Sequence, residues 1–142
     1  MSDIEKMAMI AALYDEWNAG NLERVYALLA PKAGLSAAHA AQLTAFRRTL
    51  LLLKTAMPDL ELAQTKSVVD GEMLRDVVAG TGTFTRQILS VAPTRLPIFF
   101  TATTEWHFEN GQPVPTAFAD MTVVLNELLE QGTAVDSSRG AL

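Results

Sequence analysis

The hydrophobic period of this chain changes at Pro58, and that change limits the folds open to it. Before Pro58, apolar residues recur at helical spacing. They are Ile4, Met7, Ile10, Leu13, Tyr14 and Trp17, then Leu22, Val25, Leu28 and Leu29, then Leu43, Phe46, Leu50, Leu53 and Met57. Steps of three and four residues put side chains on one face of a helix. The first stripe ends at Asn18-Ala19-Gly20, Asn21 stands where it can cap a second short helix, and a third starts after Ser36. Pro58 ends it, because the residue before a proline is driven out of helical geometry.

Beyond Pro58 the texture is that of strands. Val68-Val69 run into Asp70-Gly71, a hairpin signal, and a long strand follows from Met73 to about Thr85. Gly80 and Gly82 lie inside it, where glycine marks a bend, a bulge or a close backbone approach. After a loop around Ala92-Pro93-Thr94, a strand rich in Phe, Thr and Trp runs from Leu96 to Phe108. Asn110-Gly111 is a second hairpin signal, leading into a last strand that reaches about Asp120. Val123, Leu125, Leu128 and Leu129 suit a short closing helix, and residues 133–142 read as a frayed tail. The reading is an α+β domain over residues 1–132, with three helices on the concave side of a curved, mainly antiparallel sheet.

Composition narrows what such a domain does. The 142 residues fit one domain, since halves would be too small for good cores, and 49% apolar with 19% charged residues argues for a well-buried interior. A net charge of −5 without a basic stripe argues against nucleic acid. Leu50 to Leu53 is far shorter than a membrane span and is flanked by Arg47, Arg48 and Lys54. The opening MSDIEKMAMI lacks a basic region followed by a long apolar one, so a cytoplasmic protein is expected. With no cysteine, and with His39 far from His107, no metal site is expected. No cofactor is expected either, since Gly80-Thr81-Gly82-Thr83-Phe84-Thr85 lacks the third glycine and the helix of a dinucleotide fingerprint. His39 reads as a surface or half-buried helix residue.

The chemistry turns on the hairpin around Asn110-Gly111. A two-residue turn pairs Glu105 with Thr116, Thr103 with Phe118 and Thr101 with Asp120, so Asp120 shares a face with Glu105 and His107. A one-residue bulge, which Pro113 and Pro115 make credible, moves Asp120 to the face of Phe100, Ala102, Trp106 and Phe108. Both registers stay open. In the first, Asp120, His107 and Glu105 form a polar cluster able to move a proton next to a carbonyl, because an apolar setting raises a carboxyl pKa and an imidazole steadies its anion. The same alternation also suits a solvated or dimer-packed outer face, and Asp120 could equally cap the closing helix. Tyr14, Trp17, Phe46, Phe84, Phe100, Trp106 and Phe118 are the aromatic candidates for a pocket that takes a small apolar or aromatic ligand.

Several local sequences, in order, carry a resemblance. They are Trp17-Asn18-Ala19-Gly20-Asn21-Leu22, Met57-Pro58-Asp59-Leu60, Val69-Asp70-Gly71-Glu72, Gly80-Thr81-Gly82-Thr83-Phe84, Phe108-Glu109-Asn110-Gly111, and Asp120 followed by Leu125, Leu128 and Gln131-Gly132. Together they resemble the SnoaL-like polyketide cyclases of the NTF2-like superfamily over roughly residues 10 to 132. The resemblance implies a cone-shaped α+β fold and places Trp17 and Phe46 at its mouth. It also implies that Asp120 is the acid/base of an intramolecular aldol ring closure, and that two copies pair through the outer sheet face. The sequence departs from the family where Phe84 replaces a frequent histidine, where Pro113 and Pro115 interrupt the last strand, and where an alanine-rich stretch replaces a histidine-containing segment before Leu43. Two other readings stand beside the enzyme. One is a non-catalytic module that binds a hydrophobic ligand or dimerises. The other is a hydrolase resembling limonene epoxide hydrolase, needing an Asp-Arg-Asp relay for which Arg75, Asp76 and Arg86 are the strand candidates.

Overall fold

A computed structural model of the protein describes residues 1–119, 124 and 126–130. Helix α1 (Asp3–Asn18) is capped by Ser2, whose hydroxyl accepts from the Glu5 N–H at 3.1 Å. Helix α2 (Leu22–Leu28) is short, and helix α3 (Ala37–Ala56) is capped by Ser36 through the His39 N–H. Strands β1 (Glu61–Asp70), β2 (Met73–Thr83), β3 (Pro97–Glu109) and β4 (Gln112–Ala117) follow, making one antiparallel sheet in the order β1-β2-β3-β4. The three helices pack on this curved sheet. Residues 124 and 126–130 are helical. Among the described residues no helix is long and apolar enough to cross a membrane.

Two expectations about the helices need correction. Ile4 and Met7 are 80% and 41% exposed, because the buried stripe of α1 runs through Lys6, Ile10, Leu13, Tyr14 and Trp17. At 100° per residue Ile4 stands roughly 140° from the centre of that stripe. Lys6 takes the inward place, its Nζ donating to Gly71 O at 2.6 Å. Asn21 stands at the N-cap of α2 but its side chain makes no capping bond; its amide donates instead to Glu16.

The end of α1 is bolted to the sheet. The Trp17 indole N–H donates to Leu60 O at 3.0 Å, and the Asn18 amide bonds both Leu62 O and Leu62 N–H at 2.8 Å. The adjacent Trp17 and Asn18 thus set where the helix meets the first strand. Both hairpins use two-residue turns. Gly71 has φ 61, and Asn110 and Gly111 have φ 51 and 76, the left-handed pair that a type I′ turn demands.

Even-numbered residues of β2 and β3 face the helices: Leu74, Asp76, Val78 and Gly80, and Ile98, Phe100, Thr104, Trp106 and Phe108, are all buried. Odd-numbered ones face away or lie half-buried. β4 is an edge strand, as its two prolines require, and it carries a bulge. Trp106 pairs with Pro115 but Glu105 pairs with Ala117, leaving Thr116 as the extra residue.

Candidate functional site

Between α1, α3 and the concave face of the sheet lies an apolar cavity of about 50 Å³. α1 contributes Tyr14; α3 contributes Phe46, Thr49, Leu50 and Leu53; the strands contribute Leu62, Val78, Phe100, Ala102 and Thr104. Phe118, Ala119 and Val124 close the remaining side. Phe46 is central. Its ring meets Trp106 and Phe118 edge-on at centroid distances of 5.3 and 5.1 Å, geometries that suit the aromatic quadrupole.

One carboxylate sits directly behind this wall. Asp76 is fully buried on β2, two residues from Val78 and opposite Thr104 on β3. The Tyr14 hydroxyl donates to its Oδ2 at 2.7 Å, and the Gln64 amide donates to the same oxygen at 3.2 Å. Asp76 Oδ1 and the Trp106 indole N–H are both buried without a hydrogen bond of good geometry. Burial pushes the Asp76 carboxyl above its ordinary value; Tyr14, Gln64, Trp106 and the Thr104 backbone N–H oppose that shift without cancelling it. Tyr14 is pushed well above the usual phenol range, first by burial and then by the negative charge of Asp76. In the sequence Asp76 stands out only as a strand candidate for an epoxide-opening relay. The signal that marks it is its place at the centre of the alternating inward set Leu74, Asp76, Val78: one carboxylate on an apolar face.

The other sequence candidates divide. Tyr14, Phe46, Phe100 and Phe118 line the cavity. Trp17, Phe84 and Trp106 are wholly buried and form core around it rather than its surface. Glu105 and His107 lie on the other face of β3. Glu105 accepts from the Arg75 guanidinium at 2.5 and 3.0 Å. The His107 ring lies tilted 5.5 Å from that of His39, so the two histidines are distant in sequence but neighbours in the fold; His39 itself pairs with Glu109. Through Ala117 the hairpin follows the bulged register, so the unbulged pairing that would group Glu105, His107 and Asp120 is not the one observed. Asp120 itself lies outside the described residues. The epoxide-opening relay is not assembled either: Arg75 points away from Asp76 to Glu105, and Arg86 is exposed.

The comparisons with known proteins agree with this fold. The family model of SnoaL-like polyketide cyclases matches residues 8–116. This chain belongs to that family. Solved structures with the same NTF2-like fold include a candidate polyketide cyclase from Acidithiobacillus ferrooxidans, 16% identical, with a TM-score of 0.66 over 93% of this chain and 99% of that one. IdmH from Streptomyces antibioticus, a candidate polyketide cyclase, is 22% identical with a TM-score of 0.62, covering 86% and 96%. A candidate SnoaL-like polyketide cyclase from Jannaschia sp. CCS1 is 17% identical with a TM-score of 0.64, covering 88% and 92%. At such identities these likenesses concern the fold. No curated protein matches the sequence.

Proposed function

We propose that this member of the SnoaL-like family is a cofactor-independent enzyme that moves a proton on an apolar carbonyl compound bound in the cavity. Asp120 is its acid/base and the reaction is a ring closure or isomerisation. The observation that carries this reading is the apolar chamber between α1, α3 and the sheet, whose wall at Phe118 and Ala119 leads straight into Asp120 in the chain. An apolar chamber raises the pKa of a carboxyl placed in it towards the working pH, which is the setting acid/base chemistry on carbon requires. A screen of aromatic polyketide and terpenoid carbonyl compounds, read first by melting shift and then by turnover, tests it. Asp120→Asn is expected to keep binding and lose turnover by about 10²-fold or more. Equal turnover by that variant would remove Asp120 from the chemistry.

One observation favours a second reading, a module that binds a ligand without turning it over. About 50 Å³ is well under the roughly 150 Å³ that encloses benzene, so any ring-sized ligand has to push the wall outward. Binding by several compounds in the screen with turnover of none would establish that reading.

A further inference from the structure

The polar groups on the helix side of the cavity share a property that their identities do not reveal. A phenol or alcohol has one proton to donate and lone pairs to spare. Tyr14 commits its proton to Asp76 Oδ2 at 2.7 Å. Thr49 commits its own to the Ala45 carbonyl at 3.1 Å, one turn back along α3. Both residues line the cavity, so what each offers to an occupant is an acceptor. Thr104, on the sheet side, can rotate to either role and does not discriminate.

We propose that Tyr14, held by Asp76, makes this end of the cavity an acceptor-only subsite that takes a ligand through a hydroxyl or enol O–H. The inference rests on the reading that the cavity is the ligand site, and it names what that ligand must present there. A carbonyl oxygen at the same place meets lone pairs, loses its water partners and gains nothing in return. A hydroxyl or enol donates to Tyr14 Oη and extends a chain from ligand to phenol to carboxylate, each bond strengthened by the charge at the far end. Asp76 is a positioning residue here. It does not line the cavity; it fixes which way the tyrosine proton points. Its burial keeps that control strong, because no solvent lies between charge and phenol. The ligand class is therefore a compound with an enol, phenol or alcohol anchored at Tyr14, its reacting carbonyl lying elsewhere along the chamber.

Cyclopentanol and cyclopentanone test this, being nearly identical in size and differing in whether the oxygen can donate. Their affinities are measured by chemical-shift titration of the full chain. The wild-type protein is expected to favour the alcohol by about tenfold or more, the range of one hydrogen bond to a charge-supported acceptor. Tyr14→Phe is expected to bring the ratio to about one. Asp76→Val removes the acceptor that holds the phenol proton, so that Tyr14 O–H is free to turn toward the cavity. It is expected to shift the ratio toward the ketone by about tenfold, whereas a purely structural role for Asp76 would weaken both probes alike. A wild-type protein that binds the ketone as well as the alcohol overturns the proposal. So does a ratio unchanged in Tyr14→Phe, or binding of neither probe. If Asp76→Val fails to fold, the wild-type and Tyr14→Phe ratios still decide. No turnover is read, so failure of the enzymatic reading leaves this result untouched, and turnover with no alcohol preference defeats this inference alone.

Discussion

Gly80→Ala isolates what shapes the floor of the cavity. Gly80 pairs directly across from Phe100, and a Cβ added there would lie 2.3 Å from Phe100 Cζ and 2.6 and 2.7 Å from the two Cε atoms. Carbon atoms rest at about 3.5 Å or more, so the ring has to retreat by roughly 1.2 Å. The open space beside it is the cavity it lines. Two opposing terms decide the sign. Removing a glycine from an unstrained position stabilises by about 0.4–1 kcal/mol through the unfolded chain, while forcing a core ring aside costs about 1–3 kcal/mol. The clash is deep enough to win, leaving a net loss of about 1–2 kcal/mol. At this chain length that lowers the melting temperature by roughly 3–8 °C. Urea denaturation gives the free energy, and the double variant Gly80→Ala/Phe100→Leu, which removes the obstructing ring tip, is expected to lose less than the sum of the two single changes. Strict additivity, or a Gly80→Ala protein at least as stable as wild type, would refute the close-approach reasoning. A ligand that fills the cavity is also expected to bind Gly80→Ala more weakly, since the displaced ring occupies its space.

Asp76→Asn is expected to change the pH dependence of stability in a defined direction. The folded carboxyl titrates above its ordinary value near 3.8, so between those two values the native state holds more protons than the unfolded one, and its contribution to stability falls as pH rises. The variant lacks that term. Its stability relative to wild type should therefore rise with pH from the ordinary carboxyl value upward and level off once the folded carboxyl is ionised, as read by denaturation at several pH values; a flat or falling difference would contradict the burial of the charge. Asp59, shifted the other way by the Thr83 backbone N–H, is present in both proteins and cancels. Trp17→Phe is expected to cost about 2–4 kcal/mol in the same assay, because it leaves the Leu60 carbonyl without its indole donor and opens space in a fully buried site. A loss below about 1 kcal/mol would show that Trp17 does not anchor α1 to β1.

What the sequence made legible was local. Pro58 ends α3 at Ala56 and hands the chain to β1 at Glu61 because proline acts on its nearest neighbours. Asn110 and Gly111 adopt positive φ because the turn between two strands asks for it. Pro113 and Pro115 lack N–H donors, and an edge strand with a bulge is the result. The features that stayed hidden depend on distant partners. Asp76 reads the same in sequence whether it faces solvent or core; its burial follows from which face of β2 meets α1, and its bond to Tyr14 spans 62 residues. His107 and Glu105 alternate with Trp106 and so were equally eligible for the cavity until the helices chose the even-numbered face. Of the aromatic residues, Trp17 turned out to anchor and Trp106 to support, since each lies one layer behind the side chains that reach the open space.

That buried carboxylate bears on function more than on folding. An ionised group taken out of water costs several kcal/mol unless its lone pairs are satisfied, and a network satisfied on one side only is worse for stability than plain packing. Asp76 receives two hydrogen bonds on Oδ2, while Oδ1 and the neighbouring Trp106 N–H stay without good partners. A valine, close to it in volume and unable to leave a polar atom unpaired, would suit the neighbouring Leu74, Val78 and Trp106 better on packing grounds alone. Stability therefore does not account for the choice of residue. What Asp76 does, and an apolar residue cannot, is hold the proton of Tyr14 away from the cavity and place a negative charge behind the phenol oxygen. The cost of the charge is borne by the core; its effect is felt at the one aromatic hydroxyl in the cavity wall.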